Sequence, residues 1–148
     1  KDGLATVLEF NARFGDPETQ AILPRLDEDL LPILRDAAAG QLQQTSLRWK
    51  PEHAVTVVMA AGGYPGNYRR GMPIRGLENA SALSDVTIFH AGTDRIDGTL
   101  VTSGGRVLAV TALGVDLTSA RRQAYQAVDL IQWEELHFRR DIGHKALK

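Results

Sequence analysis

Ala54-Val55-Thr56-Val57-Val58-Met59-Ala60-Ala61 is a continuous apolar run closed by Gly62-Gly63. Its length and its three valines predict a strand buried on both faces rather than a helix. Downstream, residues 62–76 hold five glycines and two prolines, which excludes regular structure for most of that stretch. Residues 86–91, 99–102 and 106–113 read as further strands, the last two joined by Ser103-Gly104-Gly105 as a tight hairpin. Residues 117–131 form the clearest helix. Asp116 caps it, and Leu117, Ala120, Ala124, Ala127, Val128 and Ile131 make an apolar stripe that should cover one face of the sheet. A short strand over 136–138 and a helical turn after Gly143 complete the tail.

Upstream of the run, residues 41–51 are polar and aperiodic, with Trp49 as a packing anchor. Before them a helix starts at Asp29 and stops at Gly40, its apolar side supplied by Leu30, Leu31, Ile33, Leu34, Ala37 and Ala38. Pro32 falls at the third helical position, where no intrahelical N–H is yet needed. A shorter helix follows Pro17 and is interrupted at Pro24. The fold class expected is α+β, with one segment over 1–43 and a β-rich domain with one long covering helix over 44–148.

Composition narrows the function classes. The chain has 148 residues, 43% of them hydrophobic, with 17 basic against 18 acidic residues and no cysteine. That balance offers no electrostatic case for nucleic acid or an anionic membrane. Disulfides and thiolate chemistry are excluded, and no membrane span or secretory signal is evident, so a cytoplasmic location is expected. His53, His90, His137 and His144 lack metal-ligand spacing; His90, beside Phe89, reads as a hydrogen-bonded core residue. The glycine-rich stretches lack a P-loop ending, and no serine-hydrolase elbow is present.

Chemistry concentrates in residues 9–20. Residues 4–11 read as a strand, which by alternation puts Leu8 and Phe10 on one face and Glu9 and Asn11 on the other, roughly 6.6 Å apart. Two such oxygens can converge on a hard cation; equally, they can be the polar end of a strand reaching water. Arg13 offers a planar fork of donors, Gly15 permits a turn, and Asp16 with Pro17 suits an N-cap and first helical position.

The run Arg13-Phe14-Gly15-Asp16-Pro17-Glu18-Thr19-Gln20, preceded by Leu8-Glu9-Phe10-Asn11, resembles the signature of the phosphoribosylamine–glycine ligases, ATP-grasp enzymes of purine biosynthesis. The resemblance continues in order through Val58-Met59-Ala60-Ala61-Gly62-Gly63-Tyr64-Pro65-Gly66, Phe89-His90-Ala91-Gly92-Thr93, Gly104-Gly105-Arg106-Val107-Leu108, Val110-Thr111-Ala112-Leu113-Gly114 and Arg139-Arg140-Asp141-Ile142-Gly143. Family members are much longer, and the match is to their C-terminal part. Lys1 in place of methionine, and Asp2-Gly3 read as a hairpin turn without its first strand, are features expected of an excised piece.

The resemblance implies a C-terminal piece of an ATP-grasp domain over 1–43, followed over 44–148 by a rudimentary barrel-sandwich-like domain. It implies ATP-dependent joining of glycine to 5-phosphoribosylamine, giving glycinamide ribonucleotide, ADP and phosphate. Glu9 and Asn11 would be ligands of Mg²⁺ or Mn²⁺ at the ATP site, and Arg13 would stabilise the transferred phosphoryl group, unless it forms a structural ion pair with Asp16 or Glu18. The partners implied are glycine, 5-phosphoribosylamine, ATP and the N-terminal part of the enzyme, without which this piece is expected to be inactive. The loop from Gly62 to Gly71 reads as an anion cradle or a plain surface loop, and Gly104-Gly105-Arg106 as a hairpin turn or a phosphate contact. A non-catalytic domain that docks on a partner polypeptide is the alternative from another class. Another ATP-grasp ligase of purine synthesis fits the Arg13 to Gln20 run less well.

Overall fold

The computed structural model describes residues 3, 5–44 and 46–147. The apolar run forms β1 (His53–Ala60), one of the two inner strands of a four-stranded antiparallel sheet. The other strands are β2 (Val86–His90), β5 (Arg106–Gly114) and β6 (His137–Phe138), in the order β2-β5-β1-β6. Between β2 and β5 in sequence, β3 (Thr93–Ile96) and β4 (Thr99–Thr102) pair with each other as a separate two-stranded sheet, and β4 also bridges to Pro73 through Val101.

Two faces result from the register. Val55, Val57 and Met59 lie opposite Ala112, Val110 and Leu108. All six are buried, under α4 (Leu117–Leu130), whose Ala120, Ala124, Ala127 and Val128 face the sheet. The helix begins where expected because the Asp116 carboxylate accepts from the Ser119 N–H at 2.7 Å. Small alanines on its inner stripe let helix and sheet approach closely. At Gly114 a Cβ would meet backbone atoms of Ser119 and Ala120.

The opposite face carries Ala54, Thr56 and Val58 and is only partly covered, by α1 (Glu18–Ile22) and the 3-10 turn Leu23–Arg25. Contact is polar as well as apolar: the Thr111 hydroxyl donates to the Gln20 carbonyl at 2.8 Å and shares a 2.7 Å hydrogen bond with Thr56. The next helix, α2 (Leu30–Ala38), starts at Asp29, whose carboxylate accepts from the Leu31 N–H at 2.9 Å, and it stops before Gly40, in left-handed backbone at φ 67°. None of its residues is buried, and Leu31 is 72% exposed.

Several expectations are corrected. Residues 5–12 form no strand, because a strand exists only when its N–H and C=O groups find a neighbour, and none is provided among the described residues. Leu8 and Phe10 are accordingly 94% and 90% exposed instead of facing a core. Residues 99–102 and 106–113 do not form a hairpin together: the turn at 103–105 carries the chain from the small sheet to the large one. The tight hairpin is at Asp97-Gly98, both with positive φ, the geometry that a two-residue turn between twisted strands requires. A short helix, α3 (Leu77–Ser81), lies just beyond the stretch 62–76 read as irregular, where no element was expected. Asp2 of the hairpin read at Asp2-Gly3, and Leu4, the first residue of the strand read over 4–11, lie outside the described residues. Trp49 is less an anchor than a half-exposed edge: it bridges Leu26 and is 44% exposed.

Candidate functional site

The turn that precedes α1 is the best-organised polar feature near the residues singled out by sequence. Asp16 was expected to cap the helix with Pro17 at its first position, yet the helix begins one residue later and Pro17 makes no side-chain cap. The Asp16 carboxylate is engaged elsewhere. One oxygen accepts from Gln20 Nε2 at 2.9 Å and the other from Arg106 Nη1 at 3.2 Å, while the Asp16 carbonyl accepts from the same Arg106 nitrogen at 2.8 Å. A charge-assisted pair of this kind outcompetes an exposed cap. The turn is closed from within by Thr19, whose N–H and hydroxyl both donate to the Gly15 carbonyl.

Arg106 stands at the start of β5, next to Gly105. The Tyr64 ring lies so close against Gly105 that a Cβ there has no room. Burial works against the charge of Arg106, but the neighbouring Tyr64 and Asp16 outweigh it and hold its pKa above the ordinary guanidinium value. Gly104-Gly105-Arg106 is thus a packed crossing, with Arg106 directed to Asp16.

Beside this turn opens a cleft of about 570 Å³ lined by Arg13, Phe14, Asp16, Gln20, Phe89 and His90, among others. It joins the N-terminal motif to the end of β2, the first juxtaposition of two stretches that were separate in the sequence. Arg13 donates to the Phe14 carbonyl at 2.8 Å, and the ion pair expected as its alternative role is absent among the described residues, Asp16 being taken by Arg106. His90 is exposed, not core, with Nδ1 3.0 Å from Thr93 Oγ1. His90 lies opposite buried Leu108, on the same face as Ile88, so alternation alone would turn it inward; it is exposed because the strand ends there.

Glu9 and Asn11 are exposed and lie outside any regular element. Their oxygens are the hard donors that Mg²⁺ or Mn²⁺ takes, so the donor set fits such an ion, but they supply too few to hold it alone. Among the described residues no group of three or more histidine, aspartate or glutamate side chains could hold a metal ion. In the loop of residues 62–71, Arg69 reaches Glu134 at 2.7 Å and Arg70 stacks over the Tyr68 ring at 5.6 Å. Both arginines thus have partners within the fold, which favours the surface-loop reading.

Residues 54–145 match the model of the family described as phosphoribosylglycinamide synthetase, C domain. The chain belongs to that family. A Synechocystis relative, phosphoribosylamine–glycine ligase, is 53% identical over 146 residues, covering 98% of this chain and 35% of its own length. The chloroplastic phosphoribosylamine–glycine ligase of Arabidopsis thaliana is 49% identical, covering 100% of this chain and 28% of its own. The crystal structure of phosphoribosylamine–glycine ligase from Thermotoga maritima aligns with a TM-score of 0.75 at 35% identity, covering 91% of this chain and 32% of that one. The chain therefore spans about a third of the length of these relatives, and what it matches is their C-terminal part. As a synthetase C domain it is a mixed α/β fold with antiparallel sheets. Among the described residues no helix is long and apolar enough to cross a membrane.

Sequence reading of this synthetase C domain missed the Arg106–Asp16 pair. The two residues stand ninety positions apart, so no local pattern links them; only the presence of both in runs resembling the family singled them out.

Proposed function

We propose that this chain is the C-terminal part of a phosphoribosylamine–glycine ligase, acting in the ATP-dependent joining of glycine to 5-phosphoribosylamine in purine biosynthesis. The observation that carries the reading is the cleft in which Arg13 and Gln20 of the signature run meet Phe89 and His90 of the sheet, in a chain about half identical to ligases of that name. On this reading residues 1–43 complete an ATP-grasp domain and residues 44–148 form its rudimentary barrel-sandwich-like companion, in a cytoplasmic enzyme.

The chemistry runs in two steps. The γ-phosphoryl group of ATP passes to the glycine carboxylate, releasing ADP; the amine of 5-phosphoribosylamine then attacks the acyl carbon, the new C–N bond forms, the C–O bond to phosphate breaks, and the amine loses a proton. Arg13, with its planar donors, orients the phosphoryl oxygens and opposes their charge. Glu9 and Asn11 would hold Mg²⁺ or Mn²⁺, which when bound supplies charge neutralisation on the nucleotide phosphates. The exposed Val7, Leu8 and Phe10 fit burial against the N-terminal part of the same enzyme.

The test is a chimera in which this chain replaces the matching C-terminal part of the Synechocystis relative, assayed by ADP release that depends on glycine and 5-phosphoribosylamine. Activity is expected, with a loss of at least about a hundredfold on Glu9→Ala or Asn11→Ala. A soluble chimera without activity, or one indifferent to both substitutions, refutes the catalytic reading. Tight association of the separate pieces that ignores both residues would instead favour the docking module.

A further inference from the structure

We infer that Arg106 is a positioning residue for Arg13: a bulge in β5 turns it onto the face of the sheet where α1 lies, and there it fixes the turn that follows Arg13. The inference rests on the ligase reading for its catalytic consequence, and on geometry alone for the tether.

The register carries the first step. Thr56 pairs with Thr111, Val58 with Ala109 and Met59 with Leu108, but Ala60 pairs with Arg106, so Val107 is the extra residue. Strict alternation from Thr111 would place 109 and 107 on its face and 106 on the other. The bulge reverses this, as bulges do when they re-aim a side chain. Val107 and Leu108 are both fully buried, and Arg106 joins Thr111 in facing the α1 segment.

Two neighbouring anchors follow from that facing. Arg106 Nη1 grips both the carbonyl and the carboxylate of Asp16. The Thr111 hydroxyl holds the Gln20 carbonyl, and the Gln20 side chain returns to Asp16. The loop so closed runs from sheet to turn to helix and back. Arg13 is three residues before Asp16, on the wall of the same cleft, so the direction of its guanidinium depends on where this turn is held. An ordinary surface ion pair contributes little; one that also bonds the backbone fixes a position.

Arg106→Ala and Arg106→Lys in the 148-residue chain test the tether by amide hydrogen exchange. The Thr19 amide, bonded to the Gly15 carbonyl, reports the turn, and the Val57 and Val110 amides report the β1–β5 core. Arg106→Ala should speed exchange at Thr19 about tenfold, as losing a charged hydrogen bond implies, while leaving the core amides unchanged; Arg106→Lys should recover part of the loss. Unchanged exchange at Thr19, or an equal acceleration at all three amides, overturns the tether. In the chimera, Arg106→Ala should lower kcat about tenfold with the KM for ATP within about twofold, since ATP binding does not use Arg106. A normal kcat overturns the positioning role. An inactive unsubstituted chimera counts against the ligase reading only, and the exchange result still decides the tether.

Discussion

Replacing Gly92 by alanine should destabilise the protein more than any other single methyl addition in the β3–β4 crossing. A Cβ there would lie 2.5 Å from Gly104 Cα and 2.6 Å from both the Arg106 carbonyl and the Gly104 nitrogen. Ordinary carbon contacts are about 3.5–4.0 Å, so the two backbones must part by about 1 Å. Side chains cannot relieve this, because all three obstacles are main-chain atoms. The same separation strains three hydrogen bonds: Gly92 N–H to the Arg106 carbonyl at 2.8 Å, and the Ser103 and Gly104 N–H groups to the Gly92 carbonyl at 2.8 and 3.2 Å. Overpacking costs about 1–3 kcal/mol, and weakening one or two of these bonds adds about 0.5–1.5 kcal/mol each, for a total of about 1.5–6 kcal/mol. At about 2–4 °C per kcal/mol for a chain of this size, the melting temperature should fall by roughly 3–24 °C in calorimetry. Gly98→Asn is the control: Gly98 has φ 79° but nothing within 4 Å of a Cβ, and asparagine tolerates left-handed backbone, so it should shift melting by no more than about 3 °C. Equal melting of the Gly92→Ala variant and the parent would refute the backbone-on-backbone contact and with it the account of how residues 103–105 cross between sheets.

Leu108→Ala, at a fully buried position in β5, should cost about 3–5 kcal/mol in urea unfolding, whereas Leu8→Ala at a site 94% exposed should change stability by less than about 0.5 kcal/mol; similar values for the two would mean that the core is misplaced. Asp116 carries a pKa held below the ordinary carboxylate value, first by the Ser119 backbone N–H and then by the Ser119 side chain. A depressed folded pKa contributes stability above the unfolded value of about 3.9 and loses it as pH falls through that range. Asp116→Asn, which still caps but does not titrate, should therefore narrow its melting deficit against the parent between pH 5 and pH 3, on the order of the titration range; parallel melting curves across that range would refute the assignment.

What sequence made legible was what is decided locally. Asp29 and Asp116 start their helices as expected because an N-cap needs only the next two or three residues, and the buried stripe of α4 follows from a period of 3.6. The apolar run became β1 as expected, but over residues 54–59 only its Val55, Val57 and Met59 face is buried, not both faces. What stayed illegible depends on distant partners. Thr93-Asp94-Arg95-Ile96 does not look like a strand, since Asp94 and Arg95 are exposed, but Asp97-Gly98 was a readable hairpin signal. Gly104-Gly105 was read as a turn because two glycines usually make one; here Gly104 is small so that Gly92 can approach, and Gly105 so that Tyr64 can. Residues 5–11 have strand propensity without a neighbour among the described residues, and propensity alone does not supply hydrogen-bond partners.

The same contrast separates the two ends of the candidate site. Its inner end, from Gly15 to Gln20, is held by this chain's own sheet through Arg106 and Thr111. Its outer end, with Glu9 and Asn11, has exposed apolar neighbours in Val7, Leu8 and Phe10, each worth about 1.5–3 kcal/mol when buried. Three such side chains represent roughly 5–9 kcal/mol of driving force for docking, an upper bound because ordering the segment costs about 1–2 kcal/mol per residue. Burying Leu8 and Phe10 on one side of a newly paired strand would turn Glu9 and Asn11 together to the other, so the two oxygens gain a shared direction only when the segment gains a neighbour. On the ligase reading, metal binding and association with the N-terminal part are then one event, and Arg106 sets the fixed end from which that strand is laid down.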